Sequence, residues 1–332
     1  MTDPGTSASP ELAAGPHAWM SRTRYDDIDA QAAHFKGYGQ EYQQLSRGPF
    51  EGRFSTFEFG ADLSVHFERA NRELAQSAST PRGRFGACLL DAASPSCALN
   101  AASVTPDDIV VCASERSLEG KTAVGISMFC LDLSARLLPD EGAQMHCAGV
   151  LRDPPLAAQM RELLKSGLGD FSALGSPAGF AASARGFVAS LADLLWLATV
   201  RPQPNELHAG RAATARKLRV YRRARDYMHH ALADGIAITE VCRQVGVSRR
   251  SLEGTFRSVV GVSPAHYVRA LQLNRIRRDL LSRECADLSI GVIAARHGIW
   301  HWSRMAIHYR ALFGELPSDA RRRALQSAIP RL

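Results

Sequence analysis

Two spacings of apolar residues divide the chain into a strand-rich part and a helical part. From about Gly52 to Ser134, short apolar runs are separated by clusters of Gly, Pro, Asp or Ser, which is typical of strands joined by turns. Between Pro154 and Val200 the apolar residues recur at helical spacing instead. We therefore predict an α+β chain whose N-terminal part is a small antiparallel β-sheet or barrel-like domain with helices. Its predicted strands are Arg53–Phe59, Leu63–Phe67, Phe85–Leu90, Ile109–Cys112 and Val124–Leu133.

The C-terminal third contains an internal repeat. Gly246 and Gly298 lie 52 positions apart, and an aromatic residue, a glycine and a proline recur 53 positions apart after them. In each copy an apolar helical face precedes the first glycine, which can adopt the positive φ that ends a helix, and a second amphipathic stretch follows it. This order predicts an all-α domain with two helix-turn-helix units, at about 238–258 and 290–312. The segment Pro264–Ser282 is predicted to form one long helix that joins them.

The net charge of +7 is distributed unevenly along the chain. Residues 216–332 carry 22 Lys and Arg against 9 Asp and Glu, whereas residues 1–215 carry more acidic than basic side chains. Of those 22 cations, 21 are arginine, whose planar guanidinium suits phosphates and guanine edges. The basic third therefore indicates nucleic acid as a partner.

Other classes of protein need patterns that this sequence lacks. No run of eighteen apolar residues occurs, so no membrane partner is expected, and the N-terminal residues do not resemble a secretion signal. The seven cysteines are scattered without zinc-module spacing, so we predict no metal site and reduced thiols in a cytoplasmic protein. With nucleic acid as the expected partner, the protein would be nucleoid-associated. Residues 119–122 resemble the end of a phosphate loop, but Glu115 stands where that loop needs its first glycine. The adjacent Met145, His146 and Cys147 are more typical of packing than of a metal pair, and we predict no catalytic residue.

The C-terminal motifs resemble the DNA-binding domain of the AraC/XylS family of transcription regulators. The resemblance covers residues 217–325, and within the family the chain is most similar to the ethanolamine-utilisation regulator type. This similarity extends into scattered residues of 40–54. The family usually has an arginine where this chain has Gln272. The motifs are Val-Gly-Val-Ser-Arg-Arg-Ser-Leu (245–252), Gly-Val-Ser-Pro (261–264), Leu-Asn-Arg-Ile-Arg-Arg-Asp-Leu-Leu (273–281), His-Gly-Ile-Trp-His-Trp-Ser-Arg (297–304) and Phe-Gly-Glu-Leu-Pro-Ser (313–318).

The resemblance implies that one helix of each unit enters the major groove of double-stranded promoter DNA. Arg249 and Arg250 would then read guanine, whereas Arg257 would bind a phosphate. Glu253 would either accept from a cytosine amine or pair with an arginine of its own helix. Trp302 would either contact bases or pack half-buried. The complete set of expected DNA-binding residues is Arg249, Arg250, Glu253, Arg257, His301, Trp302, Ser303 and Arg304, with Gly246 and Gly298 as structural turn residues.

The predicted organisation has four parts. Residues 1–20 are expected to form a disordered tail, 21–205 an effector-sensing or dimerisation domain, 206–216 a linker and 217–326 the DNA-binding domain.

This organisation predicts a transcription regulator, most simply an activator that acts with RNA polymerase and responds to a small molecule through its N-terminal domain. A homodimer is compatible with this reading, and no resident cofactor is expected. By resemblance alone, the effector would be ethanolamine or a cobalamin. The alternative function is that of an effector-independent architectural DNA-binding protein, because such a protein would account equally well for the basic third.

Overall fold

The structure, a computed structural model, describes residues 11–14, 19–138, 148–174, 176–200 and 206–327. Its strands are β1 Glu11–Ala14, β2 Met20–Tyr25, β3 Glu41–Gln44, β4 Gly52–Phe59, β5 Leu63–Ala70, β6 Leu74–Ser79, β7 Arg84–Leu90, β8 Cys97–Leu99, β9 Ala102–Val104, β10 Asp108–Cys112, β11 Ser117–Thr122, β12 Ile126–Ser134 and β13 Ala148–Arg152. Its α-helices are α1 Ile28–Ala32, α2 Pro154–Ala173, α3 Pro177–Val200, α4 Glu206–His230, α5 Ile238–Val245, α6 Arg249–Val260, α7 Pro264–Leu281, α8 Ile290–Arg296, α9 Trp302–Phe313 and α10 Pro317–Ser327.

The N-terminal strands form two antiparallel sheets. The large sheet has the order β1-β2-β4-β5-β12-β7-β10-β13, and the small sheet has the order β3-β6-β11-β8-β9. Alternation along β12 shows how the large sheet uses both faces, since successive side chains of a strand point to opposite sides. Phe129 and Leu131 join a core shared with α2 and α3, whereas Met128 and Cys130 join a core between the two sheets. The fold class predicted from the sequence is confirmed.

Helices α4 to α10 build the C-terminal part around two apolar clusters. The first cluster includes Val241, Leu252 and Phe256 of the first predicted unit, and also Leu45 and Ala75 from the small sheet. The second cluster includes residues of α7, α8, α9 and α10. The long helix α7 contributes to both clusters, so it joins the two units through a continuous hydrophobic core.

Two segments differ from what the sequence indicates. Within the expected tail of residues 1–20, β1 pairs with β2, because an edge strand offers hydrogen bonds that the sequence pattern does not reveal. The expected linker, 206–216, lies in the first half of α4, whose alanine, arginine and lysine residues favour a helix. The domain boundaries themselves stay predictions.

Helix α3 is long and apolar enough, by length and composition alone, to cross a membrane. Arg185 and Asp193 interrupt its apolar residues, which is why the sequence shows no run of eighteen apolar residues here. In the fold, Phe187, Leu191 and Leu195 of α3 are buried in the core that α2 and the large sheet share. One side of the helix therefore packs on this core, and 22% of its most apolar 18-residue window is buried.

Candidate nucleic-acid interface

The first helix-turn-helix unit consists of α5, a tight turn and α6. Gly246 ends α5 in the left-handed conformation, with φ of 70°, and its N–H donates to the carbonyl of Cys242. The hydroxyl of Ser248 then caps α6 by accepting from the Ser251 N–H at 3.2 Å. Leu252 and Phe256 are fully buried, so the opposite side of α6 faces solvent. The turn and the cap thus fix which side chains the helix presents.

The exposed side of α6 carries three arginines. Arg249, Arg250 and Arg257 are all exposed. Glu253 lies one turn after Arg249, and the Arg249 Nε to Glu253 Oε1 distance is 3.5 Å. This is the intrahelical alternative that the sequence left open for Glu253, and in the free protein it holds Arg249 along the helix surface. Arg250 and Arg257 make no ion pair with any residue in the described part of the chain.

The second unit consists of α8, a turn and α9. Gly298 in the turn has φ of 72°. His301, Ser303 and Arg304 are exposed at the start of α9, whereas Met305 and Tyr309 are buried beneath it. The expected DNA-binding residues of this unit therefore occupy one exposed surface, at the N-terminal end of a helix.

Trp302 packs against the first helix of its unit and is still largely exposed, so the packing contact is observed and the base contact stays a prediction. Its indole lies over Gly291 of α8, where a Cβ would stand 2.4 Å from the ring, yet 59% of the residue is exposed. The missing side chain of Gly291 thus makes room for the indole, and most of the indole remains accessible to a binding partner. An exposed aromatic face at a helix start can contact base edges or thymine methyls.

Trp300 is a candidate site residue that the sequence did not indicate. Trp300 lies in the turn before α9 and is 69% exposed, and Ile307, one helical turn into α9, is 67% exposed. Large apolar side chains of this exposure mark an interaction surface when they cluster with others. The signal available in the sequence was the pair Trp300 and Trp302, which a helical periodicity does not explain.

The N-terminal part packs directly on the helices of the C-terminal part. Glu119 on β11 is 2% exposed, and its carboxylate lies 2.5 Å from Nη1 of Arg225 and 3.4 Å from Nε of Arg222, both on α4. Burial raises the pKa of Glu119, and the charges of Arg225 and Arg222 oppose that rise. A second contact joins Asp29 of α1 to Arg278 of α7, with 3.0 Å between Oδ2 and Nε.

A cavity of about 90 Å³ lies between the two sheets. One buried water needs roughly 10–15 Å³ on the same measure, so this space suits a small molecule. Three polar atoms in its wall, Gln40 Oε1, Gln76 Nε2 and Thr122 Oγ1, are buried without a hydrogen-bond partner in the structure. Glu68 also lines it, and burial raises the pKa of that carboxyl. The remaining wall is largely apolar, including Phe35, Leu90, Leu99, Val104, Val110, Leu118 and Met128.

The search for a metal site covers the described residues only, and one candidate from the sequence lies outside them. Among the described residues, no group of three or more His, Cys, Asp or Glu could hold a metal ion. Met145, His146 and Cys147, singled out in the sequence, lie outside the described residues.

Comparisons with known proteins bear on the C-terminal part. Residues 241–323 match the family model described as "Helix-turn-helix domain". The chain is 33% identical over 100 residues to "Probable thc operon regulatory protein" of Rhodococcus erythropolis, covering 30% of each chain. It is 32% identical over 103 residues to "XylDLEGF operon transcriptional activator 3" of Pseudomonas putida, covering 31% of each. The matched region thus spans about a third of the length of these relatives.

One solved structure covers more of the chain. The crystal structure of the AraC-like transcriptional activator CuxR aligns with 76% of this chain and 94% of its own, at 17% identity and a TM-score of 0.43. The two helix-turn-helix units and the sequence matches together define the class of the C-terminal part. Residues 241–323 form a helix-turn-helix domain, and this domain is similar in sequence to the operon regulators named above.

Proposed function

We propose that this protein is a sequence-specific DNA-binding transcription regulator, an activator that responds to a small-molecule effector through its N-terminal part. The observation that carries the proposal is the pair of helix-turn-helix units that α7 joins. Each unit has exposed side chains at the start of its second helix. Arg250 of α6 and Arg304 of α9 are two of these exposed side chains, and neither of the two has an ion-pair partner within the described residues. Two such helices suit two successive major-groove segments.

The cavity between the sheets supports the effector part of the proposal. Its apolar wall favours a molecule that is mainly apolar, and its unpartnered amide and hydroxyl atoms favour one with hydrogen-bonding groups. An amine such as ethanolamine would place its charge against Glu68. A cobalamin, the other effector that the resemblance implies, is much larger than this cavity of about 90 Å³. For this cavity we therefore propose a small metabolite.

The small sheet offers a route from the cavity to the DNA-binding helices. On β11, Leu118 and Thr122 line the cavity, whereas Glu119 between them pairs with α4. On β6, Gln76 lines the cavity and Ser77 accepts a hydrogen bond from Arg225 at 3.2 Å. An effector that shifts these strands would therefore act on the position of α4, and so on the presentation of both units.

The DNA part is tested by selecting genomic fragments with the purified full-length protein at near-physiological salt. We expect enrichment of sites with two half-elements about one helical turn, roughly 34 Å, apart. Enrichment of A·T-rich shape alone would overturn sequence-specific regulation in favour of the architectural alternative. The same fragments then serve to measure recruitment of RNA polymerase, which the activator proposal requires.

The effector part is tested by thermal unfolding of the full-length protein with ethanolamine and with small neutral alcohols and amides. A true ligand of the cavity stabilises the parent protein but not Ala78→Leu, which fills the cavity wall. Ala92→Leu, at an exposed turn position, is the matched control and should respond as the parent does. Equal responses of both variants would place the binding site elsewhere.

A further inference from the structure

Basic side chains from both parts of the chain line one cleft beside the second unit. Arg47, in the loop that follows β3, faces His266 and Arg269 of α7 and His308 of α9 across a cavity of about 360 Å³. No carboxylate is among the residues that line this cleft in the described part of the chain. Arg47 and Arg269 are exposed and form no ion pair within the described residues. Two arginines without a counterion create a local positive potential that attracts anions.

The cleft continues onto the expected DNA-binding surface. Arg269 and His308 also line a neighbouring cavity of about 200 Å³, whose wall includes His301 and Arg304 at the start of α9. Partial burial lowers the pKa of His308, and the charges of Arg269, Arg304 and Arg47 lower it further. The charges of the three arginines thus act together on the volume around His308, and they favour the neutral form of its ring.

The N-terminal part holds Arg47 in place through a dense set of backbone contacts. The side-chain Nε2 of Gln44 lies 2.9 Å from the carbonyl oxygen of Ser46 and 2.7 Å from those of Gly48 and Leu312, and its two hydrogens are shared among these three acceptors. The Gly48 N–H also donates to the carbonyl of Leu312, at the end of α9, at 2.9 Å. The loop is thus tied to the helix on both sides of Arg47, so the backbone of Arg47 is held beside the cleft.

We propose that this cleft binds a phosphate group, and that the phosphate belongs to the backbone of the DNA that α9 engages. The N-terminal part then contributes a DNA contact of its own through Arg47, and does not act on DNA only through the helices. The DNA backbone is favoured over a free phosphate because the cleft is open along one side to Arg304 and His301. This inference rests on the proposed function.

Arginine suits the role for a physical reason. Its guanidinium can donate two parallel hydrogen bonds to phosphate oxygens, and each neutralised phosphate releases condensed counterions. An arginine lost from such a contact lowers affinity for all sequences and lowers the salt dependence of binding, by about 0.9 in the slope of log K against log salt concentration.

The decisive experiment measures DNA affinity of the full-length protein against salt for four proteins. Arg47→Ala should lower the slope by about one and weaken specific and random DNA by the same factor of several-fold. Arg47→Lys retains the charge and should keep most of the parental slope. Arg82→Ala is the matched control, because Arg82 is also an exposed arginine of the N-terminal part but lines neither cavity. Equal slopes for Arg47→Ala and Arg82→Ala would overturn the inference while leaving the proposed function intact.

A second arm separates the DNA backbone from a free phosphate. Thermal unfolding is measured in inorganic phosphate or pyrophosphate, with sodium chloride of equal ionic strength as reference. If the parent binds no DNA, the proposed function fails, and so does the assignment of the phosphate to DNA. Stabilisation by phosphate that disappears in Arg47→Ala and Arg269→Ala would then support a site for a phosphorylated small molecule. Without such stabilisation, the phosphate site is wrong altogether.

Discussion

Gln44 of β3 and Asn274 of α7 join the two parts of the protein by a reciprocal pair of hydrogen bonds. The Gln44 N–H donates to Oδ1 of Asn274, and Nδ2 of Asn274 donates to the Gln44 carbonyl, each at 3.1 Å. Both residues are almost completely buried. Asn274 therefore completes the edge of the small sheet in the way that a neighbouring strand would.

We expect Asn274→Ala to lower the free energy of unfolding of the full chain by about 2–3 kcal/mol. The substitution leaves the N–H and the carbonyl of Gln44 buried without partners, and each unsatisfied group costs about 1–3 kcal/mol. Urea denaturation measures the change. The exposed amide variant Gln326→Ala should change stability by less than about 0.5 kcal/mol. A cost for Asn274→Ala no larger than that of the control would mean that the two parts separate readily in solution.

The two turn glycines differ in what surrounds them, and their alanine variants should differ accordingly. Both have positive φ, which costs an alanine about 1–2 kcal/mol. A Cβ at Gly246 meets nothing within 4 Å, whereas a Cβ at Gly298 would stand 2.5 Å from the carbonyl oxygen of Leu232. We expect Gly298→Ala to be the more destabilising by roughly 1 kcal/mol or more in urea denaturation. Equal losses would show that the segment at Leu232 yields without cost.

The sequence predicts the second half of the fold better than the first, for reasons visible in these glycines. Gly246, Ser248 and the apolar positions of α6 encode their structure within a dozen residues, because a cap and a helical face are local features. Their repetition around Gly298 then identifies the second unit. Local signals of this kind are also enough to predict which side chains of the helix, such as Arg250, are exposed.

The small sheet is not encoded in this way. Strand β3 reads Glu-Tyr-Gln-Gln, which is too polar to indicate a buried strand, yet Gln43 and Gln44 are 4% and 1% exposed. The reason is that the strand lies between the cavity and the DNA-binding helices, and that its polar groups find partners such as His229 and Asn274 far along the chain. The cavity and the Arg47 cleft depend on this packing, so the sequence alone could predict neither.

The buried His66 and the half-buried His34 predict a pH dependence of stability. Burial lowers the pKa of His34 to about 4, with a smaller effect of Lys36, and burial lowers that of His66 to about 3. Thr56 Oγ1 lies within hydrogen-bond distance of both rings. Because both folded-state pKa values lie below the unfolded value of about 6.5, the unfolded chain takes up protons first as the pH falls. Stability should therefore decrease from about pH 6.5 down to about pH 4.

The variant His66→Gln isolates this effect. Its stability should fall less steeply than that of the parent between pH 6.5 and pH 4, by roughly 1 kcal/mol per pH unit. Urea denaturation at several pH values gives the comparison, and the difference at pH 7.5 reports the packing cost of the substitution alone. Parallel curves for the parent and the variant would contradict the burial of His66 as a neutral ring.

The exposed arginines of α6 allow the two kinds of DNA contact to be separated. Arg250 lies in the first turn of the helix, where its guanidinium would reach a guanine edge, so Arg250→Ala should lose about 1–3 kcal/mol of discrimination at one base pair. Arg257 lies in the last turns, where a phosphate contact is expected. Arg257→Ala should weaken all sequences alike and lower the salt slope by about one. Binding of single-base operator variants at two salt concentrations measures both effects. A uniform loss in both variants would mean that Arg250 contacts the backbone, and that base recognition by the first unit depends on Arg249 once DNA releases it from Glu253.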